Sequence, residues 1–483
     1  MAALALLACV GLAPHITRPT VPHTGGAPAP RFGRPLFRPA RARAEPRLSA
    51  WLEAAASFTP AQAEQLAGPF FGGSLLPYLA FLYFLNVPQS AAPRGVVVGY
   101  GWCLVFVFLT IPAAIAAKLL FGVSLADCDW LHGAAESLLT VTNLLLVLAF
   151  RNALASARAL EDDGARADVR GARQAGPDAP AAAARTELPR LQSYAPWVLL
   201  GTGLSALSLA SAAAPALASA GVHAPFLGGA LNLHAVSYAL GELLSREPEN
   251  ALSVLCWLIH TTSLVEWLVA MGLAWRWAET SGQESFKGLT WGMLPLHSSG
   301  ITACVYHLFF NAPGVCMLLP TQAALTCVGN TCCAYAAYRI AAAGGWTLSG
   351  AFAAVGAGAP GPSSWPESGV RTETSTEVCN DALAAAEAAS RHRPRTRVPG
   401  PVLFGFEDIG GALAAEGQLG FMAKLFGGCL AACYVVKYGE LLQADFFQSE
   451  PLGAALMCIA VPTGLNVLKW AKRSKDPSFD GWF

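Results

Sequence analysis

In stretches otherwise apolar enough to face hydrocarbon, this chain carries His132 and Glu136, then His260 and Glu266, then His307, then Asn330. An ionisable group inside a membrane span costs on the order of a few kcal/mol, so such groups are normally turned inward and paired. Imidazoles and carboxylates that face one another inside a helical bundle can ligate a metal ion, bind the central metal of a tetrapyrrole, or relay protons. A plainer reading competes: a hydrogen-bonded His–Glu pair that pins one helix to another. Di-metal carboxylate bundles use paired Glu-x-x-His motifs, and that spacing is not met here.

Helical spacing says which of these groups can act together. His132 and Glu136 are four residues apart and share a face, which Asn143 continues. His260 shares a face with Trp267, whereas Thr262, Ser263 and Glu266 form a second patch about 120° away. Gly300, Cys304 and His307 lie on one line, and Gly300 permits close approach of another helix. Asn330, beside Gly329, falls near the middle of its apolar run. His297 follows Pro295 and is expected to satisfy backbone groups freed by the proline. Trp275 and Trp277 sit where an interfacial aromatic belt is expected, and Trp257 and Trp267 could line a pigment.

The elements that must position these residues are membrane spans. With 483 residues, 54% hydrophobic and 13% charged, the chain is too apolar for an ordinary soluble protein. The expected fold is an all-α polytopic transmembrane bundle of about nine spans, each near the length that crosses about 30 Å of hydrocarbon. They are Phe70–Val87, Val96–Ala117, Trp130–Phe150, Ala195–Leu217, Ala251–Trp275, Leu289–Phe310, Pro320–Ala341, Leu419–Val436 and Leu452–Trp470. Phe226–Leu244 is ambiguous, and a tenth span there would invert everything upstream.

The spans group into a three-span module (70–151), a four-span module (194–343) and a two-span module (414–475). A polar linker (152–193) and a Gly/Pro/Ser-rich linker (344–413) separate them, both expected to be disordered or weakly ordered. Alternating spans put Arg94, Arg151, Arg158, Arg276, Lys287, Arg339 and Lys469–Lys475 on one side. Asp127, Asp129, Glu247, Glu249, Glu440, Asp445 and Glu450 fall on the other, with Lys118 and Lys437 as exceptions. The basic side is the untranslocated one, which puts His132, Glu136, His260 and His307 in the translocated half, with Glu266 nearer the cis face.

Residues 1–50 hold seven arginines, no lysine and one acid, Glu45, the composition of an organellar transit peptide. The 13 cysteines lie mostly in apolar runs with no Cys-x-x-Cys pair, so they read as buried thiols and not as a disulfide or zinc framework. Zero net charge gives no ground for nucleic-acid binding. Phosphate-binding loops, nucleophile elbows and zinc-protease motifs are absent, which argues against an enzyme of those classes.

Several long motifs carry a family likeness. Glu247–Trp267, Phe286–Pro295, Tyr306–Asn311 and Gln322–Asn330 resemble the plastid and cyanobacterial membrane family named hypothetical chloroplast reading frame forty-nine. Tyr434–Leu441 and Gly464–Trp470 resemble plant relatives of that family. Leu76–Arg151, above all Thr110–Lys118 and Ser124–Thr140, resembles a second family with the same distribution. Both families are uncharacterised, so the resemblance implies location and lineage: a multi-pass chloroplast membrane, thylakoid or inner envelope, in an oxygenic phototroph.

The leading expectation is a non-enzymatic factor for assembly or maintenance of a photosynthetic membrane complex, binding a pigment or metal at His132, Glu136, His260 and His307, with Glu266 and Asn330 as further ligand candidates. Its partners would be the lipid bilayer and subunits of that complex. The alternatives are an envelope transporter for a small ion or metabolite, and a haem-binding membrane oxidoreductase.

Overall fold

The computed structural model describes residues 57–169, 203, 221–233, 247–356, 418–449 and 452–476. The expected transit peptide, the span at 195–217 apart from residue 203, and most of the second linker lie outside the described residues. Among the described residues all regular structure is helical: α1 (Pro60–Asn86), α2 (Arg94–Ala116), α3 (Asp129–Val169), α4 (Val254–Ser281), α5 (Lys287–Leu308), α6 (Leu318–Ala343), α7 (Leu348–Gly356), α8 (Gln418–Leu442), α9 (Ala444–Gln448) and α10 (Leu452–Lys475). Seven helical stretches are long and apolar enough to cross a membrane, namely Pro60–Asn86, Arg94–Phe121, Asp129–Ala157, Val254–Ser281, Pro313–Ala343, Gly420–Leu442 and Leu452–Lys475.

Helix α5 is less apolar, and its place explains why. It is flanked by α4, α6 and α10 and buries Thr290, His297, Ser298, Ser299, Thr302 and His307. Its hydroxyls find acceptors within the protein: Ser298 donates to Leu294 O, Thr302 to Ser298 O, and Thr290 to Met271 O. An inner helix needs no lipid-facing surface, so polar residues cost little once bonded. Helix α2 is the opposite case, exposing Val98, Phe108, Ile111 and Ile115 along its length.

Contacts set the directions of α1 to α6. Tyr78 of α1 donates to Tyr100 O of α2, and Lys118 beyond α2 reaches back to Glu64 at 3.3 Å, so the two are antiparallel. Helices α4, α5 and α6 alternate, with Trp267 bonded to Met293 O and Ser299 to Gln322 O. Helix α3 instead runs parallel to α4, since Asp129 meets Ser253 and Asn143 meets Ser263 further along. The chain between them is therefore back at the starting end of α3 by Phe226, which bonds Asp129. Phe226 and Ser253 therefore both lie at the starting end of α3.

Four details depart from expectation. Helix α3 continues to Val169, beyond the expected end at Phe150, so the first part of the 152–193 linker is helical; Leu348–Gly356 of the second linker is helical too. Trp275 is not in a lipid-facing belt: α10 brings Trp470 against it, with ring centroids 5.2 Å apart, and both are buried. His297 faces the same helix, its Nδ1 3.4 Å from Asn466 Nδ2. The two charge exceptions are both paired, Lys118 with Glu64 and the buried Lys437 with Glu247 and Glu440.

Extensive packing joins the expected modules: α1 lies along α6, and α3 along α4. Between α5 and α6 small residues set the separation. A Cβ at Gly329 would lie 2.5 Å from Leu296 Cγ and 2.9 Å from Leu296 N, and one at Gly292 would lie 3.0 Å from Cys333 N. Gly329→Ala is therefore expected to destabilise the protein by about 1–3 kcal/mol through overpacking. Gly272→Ala, whose added Cβ meets nothing within 4 Å, should leave the thermal midpoint in detergent unchanged or raise it. Lys437→Met removes the cation between two acids, one of them the buried Glu440, and should cost about 3–5 kcal/mol. The combination with Glu440→Gln should recover part of that loss in the same thermal assay.

Candidate metal centre

The site is assembled by short polar clamps at one end of the bundle. Asp129, first residue of α3, accepts the backbone N–H of Phe226 at 2.7 Å and of Ser253 at 2.9 Å. A carboxylate at a helix start is favoured by the helix dipole, and this one also satisfies two donors of other segments. The start of α4 is held again by Asn232 Oδ1, which accepts from Val254 N at 3.0 Å, and by the Ser253 cap on Cys256 N. The two helices thus begin level. Deeper in, Thr140 and Ser263 hydroxyls lie 2.8 Å apart, and Asn143 Nδ2 donates to Ser263 O at 3.2 Å.

The end of α5 is clamped to the same loop. Phe310 and Asn311 take left-handed backbone angles, φ 53° and 55°, and the helix ends at Leu308, one residue after His307. The Asn311 amide then donates to Ala126 O at 3.0 Å and Asp127 Oδ1 at 2.9 Å, just ahead of α3. Phe226 covers the first turn of α3 so closely that a Cβ at Gly133 would lie 2.6 Å from its ring.

These clamps bring His132, His260 and His307 together. His132 Nε2 and His260 Nε2 are 3.0 Å apart. The ring centroids are 5.0 Å (132–260), 4.7 Å (132–307) and 5.0 Å (260–307) apart. One nitrogen from each ring falls within 4.8 Å of the others, and all three residues are buried, at 7%, 7% and 2% exposure. Tetrahedral ligation at about 2.0–2.1 Å puts nitrogens roughly 3.3 Å apart, so only small rotations separate this cluster from a ligand set. Two Nε2 atoms at hydrogen-bond distance must share a proton, and a metal ion would take that proton's place. Among the described residues His132 Nδ1 is buried without a partner; beside His307 stands the Asn311 carboxamide.

The surroundings continue outward through α8. Trp257 lies edge-on to His260 at 6.2 Å and donates its indole N–H to Glu440 Oε1 at 3.0 Å. Glu440 in turn pairs with Lys437. Glu136, one turn along α3 from His132, is within electrostatic reach of Cys103, Cys256 and Cys304.

The remaining candidates lie elsewhere. Glu266 is fully buried with neither carboxylate oxygen bonded among the described residues, on the face of α4 that also carries Thr262 and meets Cys429 of α8. Asn330 donates to Ser74 O at 3.1 Å and so locks α6 to α1. Sequence reasoning assigned Asp129 and Asn311 no structural role. Their hint was position: an acid at the first residue of a span, and an asparagine directly after one.

Comparison with known proteins follows the same division. Residues 67–155 match a family described as Protein of unknown function (DUF3593), and residues 251–339 one described as Protein of unknown function (DUF2499). The first segment holds His132; the second holds His260 and His307. No solved structure matches the chain. A curated relative, "Ycf49-like protein" of Synechocystis sp. (strain ATCC 27184 / PCC 6803 / Kazusa), is 40% identical over 91 residues, which cover 19% of this chain and 88% of that protein. With that much of the relative covered at that identity, the chain belongs to the Ycf49-like family.

Proposed function

We propose that this chain is a metal-binding factor of a chloroplast membrane, thylakoid or inner envelope, that serves assembly or maintenance of a photosynthetic membrane complex. The observation that carries the reading is the convergence of three buried imidazoles from three helices, with one nitrogen of each within 4.8 Å. Imidazole donors suit zinc, copper, iron and nickel. The cyanobacterial relative and the Arg-rich, acid-poor leader support the compartment. A bare ion suits the cluster better than a tetrapyrrole. The imidazoles touch one another, leaving no slot between them for a flat macrocycle, and a macrocycle metal takes at most two axial ligands on opposite faces. The same point weighs against the haem oxidoreductase.

One further observation favours passage of the ion as a second reading. A cleft of about 260 Å³ opens where α3 and α4 begin, lined by Asp127, Asp129, Glu247, Glu249 and His223 among others. Acid-lined clefts raise local cation concentration and speed association. Under either reading this end of the bundle is the side from which the ion arrives.

Two outcomes follow. Protein affinity-purified from native membranes should carry close to one transition-metal ion per chain by elemental mass spectrometry, together with subunits of a photosynthetic complex. The variant H132A/H260A/H307A should retain less than a tenth of that metal, and Glu266→Gln should retain it all. Metal-free wild-type protein from native membranes would overturn the reading. Glu249 is exposed, and Glu249→Lys is expected to slow cobalt(II) loading by about two- to fivefold at low salt, with the difference vanishing at high salt. Stopped-flow absorbance of the cobalt complex measures it.

A further inference from the structure

We infer that residues 225–233 form a lid over the three-histidine centre, and that its opening sets how fast a metal ion enters and leaves. This rests on the metal-binding reading of the same site and extends it to the ion's path.

The first observation is position. The three imidazoles are buried, so an ion that collects in the acid-lined cleft must pass through protein to reach them. Pro225 and Asn232 line that cleft, and so does Asp129. Phe226, which follows Pro225, is buried and lies against Gly133, the residue after His132. Its N–H is held by Asp129, which stands about one helical turn before His132 on α3. The segment therefore has one side on the cleft and the other on the turn of α3 that carries the first histidine.

The second observation is how the segment is attached. Besides the Phe226–Asp129 bond, Leu233 N donates to Tyr438 OH at 2.9 Å, and Tyr434 OH donates to Leu231 O at 2.8 Å. Both tyrosines belong to α8, so these two bonds can break without disturbing α3 or α4. The backbone between the attachments is strained. Leu227 and Leu231 take φ of 48° and 70°, in the left-handed region that side chains rarely adopt, and Gly228 and Gly229 continue it at 67° and 71°. Both leucines are 48% exposed, so burial of their side chains does little to hold the segment down. A strained segment pinned at a few points and seated by one aromatic ring opens more readily than the packed helices beneath it. Such a gate adds no ligand; it controls access. Opening must then precede binding, so loading levels off at the opening rate once metal is in excess, whereas an open site loads in proportion to metal concentration.

The test is stopped-flow loading of the full-length chain in detergent with cobalt(II), followed by release into excess chelator. Gly133→Ala sets a Cβ 2.6 Å from the Phe226 ring at a helical position that favours alanine, so it displaces the lid and spares α3. Y434F/Y438F removes two of the lid's bonds and keeps both rings. In the wild type, the loading rate should level off as cobalt(II) is raised. Each variant should raise that plateau and the release rate by about fivefold or more, with the amount of cobalt bound and the helical content by circular dichroism unchanged. Hydrogen–deuterium exchange of the backbone amides of residues 226–233 should speed up in the same two variants. Gly272→Ala, which meets nothing, should keep wild-type rates. A wild-type loading rate that stays linear in cobalt(II), or folded variants with wild-type rates, overturns the lid and leaves the metal-binding reading standing. Wild-type protein that binds no cobalt(II) overturns both.

Discussion

The Asp129 carboxylate is the constraint on which the rest of the site depends. It takes the N–H of Ser253, where α4 begins, and that of Phe226, on the segment between the two helices. In an interior without water those donors have no cheap alternative, so the bonds set level starts for α3 and α4. Level starts and parallel directions leave His260 about one turn deeper than His132, a gap that the two imidazoles span to bring their Nε2 atoms 3.0 Å apart. The Thr140–Ser263 and Asn143–Ser263 contacts are the same register read about three turns deeper than the Asp129–Ser253 bond. Asn311 repeats the device at the end of α5 and carries His307 to the same level.

Polarity is distributed by depth within the bundle and not by element. Helix α5 is rich in hydroxyls and imidazoles because α4, α6 and α10 surround it, while α2 is almost purely apolar because much of its surface is free to face lipid. The buried charges follow suit. Lys437 looked out of place among acids at its end of the bundle, and it is there because Glu247 and Glu440 flank it. Through Trp257 that ion cluster braces the helix carrying His260. Glu266 is the buried charge that has no such answer among the described residues.

The site is also shared between two matched segments. Residues 67–155 contribute His132 and residues 251–339 contribute His260 and His307, so neither segment holds the three ligands alone. The interfaces between those segments, α1 on α6 and α3 on α4, are among the most extensive in the fold. Joining the segments in one chain raises their effective concentration without adding a contact.

Much of this was legible in the sequence, and the limit of legibility has a physical cause. Apolar run lengths marked the spans, helical spacing put Glu136 on the face of His132 and set Glu266 apart from His260, and charge bias along the chain distinguished the two ends. Those are local properties, governed by 3.6 residues per turn and the thickness of hydrocarbon. Spacing could not say that Asn330 serves the α1–α6 interface, that Trp275 meets Trp470, or that α3 continues past Phe150. Nor could it say that three rings far apart in sequence meet. That depends on the parallel course and register of α3 and α4, which two hydrogen bonds donated to one carboxylate decide. Residue types and helical faces were determined by the sequence alone; their convergence was decided by the tertiary structure, because a helix fixes the direction of its own side chains and nothing about its neighbour's height.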